Sequence, residues 1–320
     1  MDNSNLTLID AGARFGPHPS WSELYKSNLL LIYAFEPEEE EYNWLKDKYK
    51  NNPNYFINKL ALGDEDNLLK LNILNHKGQT SLFSPNLKSD WFENVRREDS
   101  EIIETQNAVR IITAESYIEN LIKNNLPIPR FIKTDTEGYH LFVIKGFGKY
   151  LDNIHAVRTE MHFQQVFHGS PEFMDLFSFL FKNDFRLANL DYDGLGVQQS
   201  YFVPQIKRYG IVTGTEAVFI RSNEYYLSLS NIDFVQVIAF LFCNNLEDYA
   251  ISLLHKREKV FHDIREIKLS KFIEKKFLLS IKKFENYSSV LFNMAKKDFQ
   301  KFFLKPYPER HYFYRYLNSF

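Results

Sequence analysis

The chain has 320 residues, of which 44% are apolar and 25% charged, and a formal charge of −2. Such a composition suits a soluble globular protein with one large domain and an appendage, or two small domains, and the near-neutral balance argues against a nucleic-acid partner across the whole molecule. Cys243 is the only cysteine, which excludes an intramolecular disulfide and disfavours a Cys-ligated zinc site, and no run approaches the ~20 apolar residues of a membrane span.

The polar start, Met1-Asp2-Asn3-Ser4-Asn5, lacks the basic and apolar regions of a signal peptide, so a cytoplasmic location is expected. Leu6-Thr7-Leu8-Ile9 then opens a series of short apolar runs. The series continues at Leu29 to Phe35, Phe56 to Leu62, Phe131 to Thr134, Ile154 to Phe163 and Thr215 to Ile220. Near-continuous apolar strands predict a sheet covered on both faces. Amphipathic stretches predict helices at Tyr42–Tyr49, Ala114–Lys123, Leu141–Tyr150 and Pro171–Lys182. This alternation predicts a doubly wound, Rossmann-like α/β domain over residues 1–224.

Residues 64–113 break the alternation. Leu69, Leu71 and Ile73 alternate with polar residues, ahead of Gly78-Gln79-Thr80-Ser81 and a charged stretch, so a β-rich insertion is expected there. From Tyr225 the periodicity is helical, and residues 225–320 are expected to form a C-terminal helical extension, with Ile273, Phe277, Ile281 and Phe284 on one face. Between Lys256 and Arg315 there are 16 Lys/Arg and 7 Asp/Glu, a net +9 against −11 for the rest. A solvated basic face is the commoner meaning of such a tail; a partner or anionic-membrane surface is the sharper one.

Three acids stand where the predicted strands end. The first strand runs into Asp10-Ala11-Gly12-Ala13-Arg14-Phe15-Gly16, a D-x-G-x-x-x-G pattern. Glycine lets the backbone turn sharply and approach a ligand closely, and an acid there can accept hydrogen bonds from an ammonium group. The pattern is neither a Walker A loop nor the dinucleotide fingerprint, since Arg14 occupies the place of the second glycine. That spacing disfavours a nicotinamide-dependent oxidoreductase. Glu36 follows the second strand directly and precedes Pro37, where an acid can hold both hydroxyls of a ribose. Asp135 follows the fourth strand in Lys133-Thr134-Asp135-Thr136-Glu137-Gly138. Ligands of such sheets bind outside the carboxyl ends of the strands. Three converging acids suit a cationic, ribose-bearing ligand better than a phosphate.

These segments resemble the FkbM family of S-adenosylmethionine-dependent methyltransferases. Leu8 to Ala13 is similar to the family's first motif, and Tyr33-Ala34-Phe35-Glu36-Pro37 to its V-x-A-F-E-P segment. Leu60 to Asp64 matches its third strand, and Ile132 to Gly138 followed by Val143-Ile144-Lys145-Gly146 resembles L-K-I-D-V-E-G and V-L-K-G. Glu160 in Arg158 to Met161, and Thr215 to Phe219, match two later segments. The resemblance spans roughly residues 6–221 in order. It implies a seven-stranded methyltransferase sheet with helices on both faces, S-adenosyl-L-methionine as cofactor, and O-methylation of a small-molecule acceptor such as a sugar or natural-product hydroxyl. Two departures bear on the acceptor: Arg14 stands in place of a small or amide residue, and Tyr139-His140 in place of a small residue and Glu.

By resemblance and strand-end position, Asp10, Gly12, Ala13 and Gly16 should line the methionine part of the cofactor. Glu36, with Pro37, should hold the ribose, and Asp64 is a candidate for the adenine amino group unless it is merely a turn residue. Asp135 should sit near the sulfonium or the acceptor. An alcohol must lose its proton as it is methylated, which needs a base or a metal ion. Asp135, Glu137, Glu160 and His162 are the candidates, with His140 and His168 as further histidines near the strand ends. Glu160 and His162 lie two apart on one predicted strand and should share a face. Asp135, Glu137, Glu160 and His162 could hold a divalent cation, but no metal is predicted. The rival to an enzyme is a catalytically silent, methyltransferase-like binding module that uses the basic tail as its partner surface.

Overall fold

Leu6–Ala11 is buried at all six positions, as is Leu30–Phe35, and each runs as a strand covered on both faces. They belong to a computed structural model that describes residues 5–93, 100–191, 196–197, 211–257 and 267–280. In chain order the elements are β1 (Leu6–Ala11), α1 (Ser22–Lys26), β2 (Leu30–Phe35), α2 (Glu39–Tyr49), β3 (Tyr55–Asn58), β4 (Ala61–Gly63), β5 (Asn67–Leu74), α3 (Asp90–Glu93), β6 (Ile102–Thr113) and α4 (Ala114–Lys123). They continue as β7 (Phe131–Thr134), α5 (His140–Lys145), β8 (Ala156–His162), α6 (Phe173–Lys182), β9 (Arg186–Leu190), β10 (Gly196–Val197), β11 (Val212–Ile220), α7 (Asn223–Ser228), α8 (Asn231–Cys243) and α9 (Glu247–Lys256).

The main sheet has seven principal strands in the order β9-β11-β8-β7-β1-β2-β3, with the two-residue β10 paired to β11 as an eighth. β3, β2, β1, β7 and β8 are parallel, and β11 is antiparallel to β8 and β9. The chain leaves β1 for β2 and β3 on one side and returns through β7 on the other. β1 and β7 therefore flank the switch point, where a crevice opens at the carboxyl ends. This is the seven-stranded, Rossmann-like α/β sheet expected above.

Helices cover both faces. On one, Ile118 and Leu121 of α4, Val143 and Ile144 of α5 and Leu176 and Leu180 of α6 pack with Ile9, Tyr33, Ile132, Val157 and Phe219. Caps fix where these helices begin: the Thr113 hydroxyl accepts from the Ser116 N–H at α4, and Glu172 and Asp175 form a reciprocal box at α6. On the other face lies α8, buried from Phe234 to Phe242, with Phe240 stacked on Phe131 at 4.9 Å and touching Trp21 at 5.3 Å. Aromatic pairs of this kind contribute about 0.5–1.5 kcal/mol beyond the area they bury.

The boundary expected at residue 224/225 falls inside the first compact unit, which runs to Phe272. α8 is apolar all round rather than along one stripe, so it is a core helix of the sheet. Of the second unit, residues 273–280 are described and helical. Ile281, Phe284 and most of the basic tail lie outside the described residues.

Two elements differ from their sequence expectation. The apolar run Phe56 to Leu62 is not one strand: β3 stays in the main sheet while β4 joins β5 and β6 in a second, three-stranded sheet. Residues 64–113 contain β5 and β6 of that sheet. The helix expected over Leu141–Tyr150 ends at Lys145: Gly146 and Phe147 keep near-helical angles, but Gly148 turns to φ +48°, and Gly148–Asn153 follow as a separate 3-10 helix. No helix among the described residues is long and apolar enough to cross a membrane.

Candidate functional site

A crevice opens at the switch point, outside the carboxyl ends of the strands. Gly12, Arg14 and Phe15 form one wall, and Phe35, Glu36 and Pro37 a second. Asp135, Thr136, Glu137 and Tyr139 close a third. The fourth is apolar and comes from the second sheet and the segment after it: Ala61, Leu62, Leu71, Thr80 and Leu82.

The glycine turn is shaped by close approach. Gly12 sits at φ +74°, and a Cβ there would lie 1.8 Å from the Asp135 carbonyl oxygen. Its N–H and that of Ala13 both donate to the Phe35 carbonyl at 3.1 Å, tying the turn to the end of β2. Ala13 is buried in this turn, and Gly16, at φ +90°, packs under the Tyr49 ring. Gly12 lines the crevice, whereas Ala13 and Gly16 support it from behind.

Asp10 is wholly buried and does not reach the cavity. It is the register partner of Lys133 on β7, so both side chains leave the sheet on one face. The Lys133 Nζ lies 3.1 Å from Asp10, donates to the Gly12 carbonyl at 2.9 Å and lies 3.6 Å from Asp135. Burial raises the Asp10 carboxyl above its ordinary value and Lys133 only partly offsets this. For Lys133 burial works the other way, but Asp10 and then Asp135 hold its ammonium above the usual lysine value. Lys133 was not singled out by the sequence reading, although its place opposite Asp10 follows from the strand register.

Glu36 lines the cavity and is 3% exposed. One of its oxygens accepts the Glu38 N–H at 2.9 Å, and Arg14 stands 3.9 Å away and 3.3 Å from Glu38. Burial pushes the Glu36 carboxyl up to about 7 against the opposing pull of Arg14. Glu38 in turn caps α2 by accepting from the Glu40 and Glu41 N–H groups, which accounts for the acidic run without involving Glu36. Asp64 is an exposed turn residue after β4 and does not line the cavity.

Behind Asp135 the chain makes a tight turn, with Glu137 at φ +51° and Gly138 at +95°. Glu160 organises it. Its Oε1 accepts from the Thr136 N–H at 2.6 Å, the Thr136 hydroxyl at 3.2 Å and the Gly138 N–H at 3.3 Å. β8 extends through His162, and the His162 Nε2 lies 3.2 Å from the Glu160 Oε2. The buried His140 brings its Nδ1 to 3.3 Å from Glu160 Oε1. Burial alone would raise the Glu160 carboxyl, but hydrogen bonding and charge from His140 and His162 hold it well below the usual carboxylate range. Glu137 is pushed well above that range, first by burial and then by the negative charge of Glu160 and Asp135. Glu137, Glu160 and His162 each bring a ligand-type atom within 4.8 Å of the others. His168 is exposed on a loop and takes no part. Glu216, opposite Glu160 on β11, is held by Arg158, which also reaches Asp191 at 3.2 Å.

Of the residues expected at the cofactor site, the structure brings Gly12, Glu36, Pro37 and Asp135 into one cavity and joins Glu137 to them. Arg14, Phe15, Leu71, Thr80, Leu82 and Tyr139 line it as well but were given no place in it beforehand. Leu71, Thr80 and Leu82 belong to the 64–113 segment, and only tertiary packing places that segment over the crevice.

The family model described as Methyltransferase FkbM domain matches residues 10–187. No curated protein matches the chain. Similar solved structures include M. jannaschii TYW2 in complex with AdoMet (13% identity, 69% of this chain and 72% of that chain, TM-score 0.28). Two others are a precorrin-6y C5,15-methyltransferase from Geobacter metallireducens GS-15 (13%, 68% and 80%, 0.29) and a putative methyltransferase from Thermobifida fusca YX (10%, 69% and 74%, 0.30). At such TM-scores the likeness bears on neither fold nor function, and the assignment rests on the matched segment. Residues 10–187 cover more than half of the sequence and hold the glycine turn, Glu36, Asp135 and the Glu137–Glu160–His162 cluster, so the chain belongs to the FkbM methyltransferase domain family.

Proposed function

We propose that the crevice binds S-adenosyl-L-methionine and that the protein methylates a hydroxyl of a small polar acceptor, such as a sugar or natural product. The observation that carries this reading is the buried Glu36 carboxylate at the end of β2, facing the cavity beside the glycine turn. A carboxylate there can accept from both ribose hydroxyls. The apolar wall of Leu62, Leu71, Leu82 and Tyr139 suits an adenine, and Gly12 gives backbone access to the methionine end. In this reading Asp10 acts through Lys133, fixing the turn rather than meeting the cofactor. A lone cysteine favours a reducing compartment, so we assign the protein to the cytoplasm.

Methyl transfer breaks the sulfonium C–S bond as the acceptor O–C bond forms, and the acceptor loses its proton. Positioning carries much of the rate. The acceptor oxygen would lie against the cluster of Asp135, Glu137, Glu160 and His162. Asp135 is the member with a substantially exposed side chain and can pass the proton to solvent. Turnover of S-adenosylmethionine with a panel of hydroxyl acceptors tests the reading; cofactor binding without transfer to any hydroxyl would count against O-methylation.

Glu36 gives a sharper check. Replacing it by Ala removes hydrogen bonds to a charged acceptor, each worth about 1.5–3 kcal/mol; losing even one lowers affinity for S-adenosylmethionine roughly 10–100-fold, so at least that loss is expected. Because burial raises this carboxyl to about 7, the charged form grows between pH 6 and 8. Cofactor affinity should rise roughly tenfold over that interval, and Glu36→Gln should abolish the rise. Fold stability moves oppositely. A raised carboxyl contributes stability that is present below its unfolded value of 4.5 and is lost as pH climbs through about 7. Calorimetric titration at three pH values reads the affinity; a pH-independent wild-type affinity would remove Glu36 from the ribose.

A further inference from the structure

Glu137, Glu160 and His162 come from two segments, the turn after β7 and the end of β8, and their ligand-type atoms lie within 4.8 Å of one another. Metal–oxygen distances of about 2.0–2.6 Å make a coordination sphere about 4–5 Å across, so one ion can reach all three. The Glu160 Oε2 and His162 Nε2, 3.2 Å apart, have the separation of neighbouring ligands on one ion. Among the described residues no other group of three acids, histidines or cysteines is gathered in this way.

The surroundings are those of a prepared ligand set. Glu160 has its Oε1 fixed by the Thr136 and Gly138 N–H groups and the Thr136 hydroxyl, which orients the carboxylate and leaves Oε2 toward His162 and Glu137. Such second contacts are what hold metal-binding carboxylates in place. His140 supplies an independent sign. It is fully buried, its Nδ1 faces the Glu160 Oε1 at 3.3 Å without the alignment of a full hydrogen bond, and its Nε2 has no partner. The His162 Nδ1 is also buried and unpartnered. Asp135, Glu137 and Glu160 gather three carboxyl groups here; the nearby cation Lys133 lies 3.6 Å from Asp135 but is shared with Asp10 and the Gly12 carbonyl.

We propose that Glu137, Glu160 and His162 bind one divalent cation, of the kind that accepts two carboxylates and an imidazole, such as Mn²⁺. Glu137 also lines the crevice, so an ion held there would stand beside the place assigned above to the acceptor. The ion would take the acceptor's hydroxyl oxygen as a further ligand and orient it toward the methyl donor. This role rests on the methyl-transfer reading; the binding of the ion does not.

The test uses the full chain, stripped with a chelator and titrated with Mn²⁺ while free ion is followed by electron paramagnetic resonance. One saturable site per chain is expected. Glu137→Gln and His162→Gln should each weaken it by at least roughly 10–100-fold, the loss typical of even an outer contact. Electron spin echo spectra of the wild-type complex should carry ¹⁴N modulation from a histidine, a readout that needs no variant. Absence of a saturable site, or a site without ¹⁴N modulation that both variants retain, overturns the proposal. S-adenosylmethionine is titrated in parallel by calorimetry. Mn²⁺ binding without cofactor binding supports the ion site and removes the methyl-transfer reading. Cofactor binding without Mn²⁺ binding leaves that reading and overturns the ion site.

Discussion

Lys133→Met is expected to destabilise the protein by about 3–5 kcal/mol, the usual cost of leaving a buried charge without its partner. Asp10 has no exposed surface, and neither of its oxygens completes an aligned hydrogen bond, so Lys133 at 3.1 Å is what compensates it. The Gly12 carbonyl also loses the Lys133 donor, which should loosen the glycine turn. Adding Asp10→Asn to Lys133→Met removes the orphaned charge and should recover a large part of the loss. Burial already raises the Asp10 carboxyl. The defect of the single variant should therefore shrink as pH falls, because protonating Asp10 restores neutrality. Urea unfolding of the four members of the cycle reads both effects. A Lys133→Met variant within about 1 kcal/mol of wild type, near the usual size of an ordinary substitution, would show that the pair does not hold this face of the sheet.

Gly12→Ala is expected to be nearly as damaging, for a steric reason. At φ +74° an L side chain costs about 1–2 kcal/mol before any contact is counted. The added Cβ would also overlap the Asp135 carbonyl, 1.8 Å from its oxygen and 2.7 Å from its carbon. Both are backbone atoms and cannot swing aside. The turn after β1 must part from the turn after β7, straining the Asp135 N–H to Ala11 carbonyl bond at 3.0 Å. A loss of roughly 3–4 kcal/mol in stability is expected, at the upper end for a point substitution. S-adenosylmethionine affinity should drop by about 100-fold or more, equivalent to about 2.7 kcal/mol. Gly16→Ala is the informative contrast. Its Cβ meets the end of the Tyr49 side chain, which can rotate, so its effect should be smaller. Unfolding midpoints and calorimetric titration of both variants measure this. Equal effects would mean that the close approach to Asp135 is not the constraint.

The sequence by itself determined the sheet and the place of the crevice. Buried strands such as Leu6–Ala11 and Leu30–Phe35 carry their burial as unbroken apolar runs, and a strand that ends in Asp-x-Gly or Glu-Pro announces its turn. These signals are local, set by what each residue tolerates in φ and in water. The tertiary structure decided what depends on who meets whom. The run Phe56 to Leu62 divides between two sheets because Lys59 and Leu60 separate β3 from β4, and no periodicity marks that division. α8 reads as one helix among several, yet it is buried along Phe234–Phe242 against the sheet, which moves the compact unit's limit to Phe272. Lys133 reads as one polar residue in a buried strand until the register places it opposite Asp10. Leu71, Thr80 and Leu82 become a wall of the crevice only when the second sheet is laid over the first. Burial and turn chemistry are written residue by residue; pairing across a sheet and convergence of distant segments are properties of the packed chain.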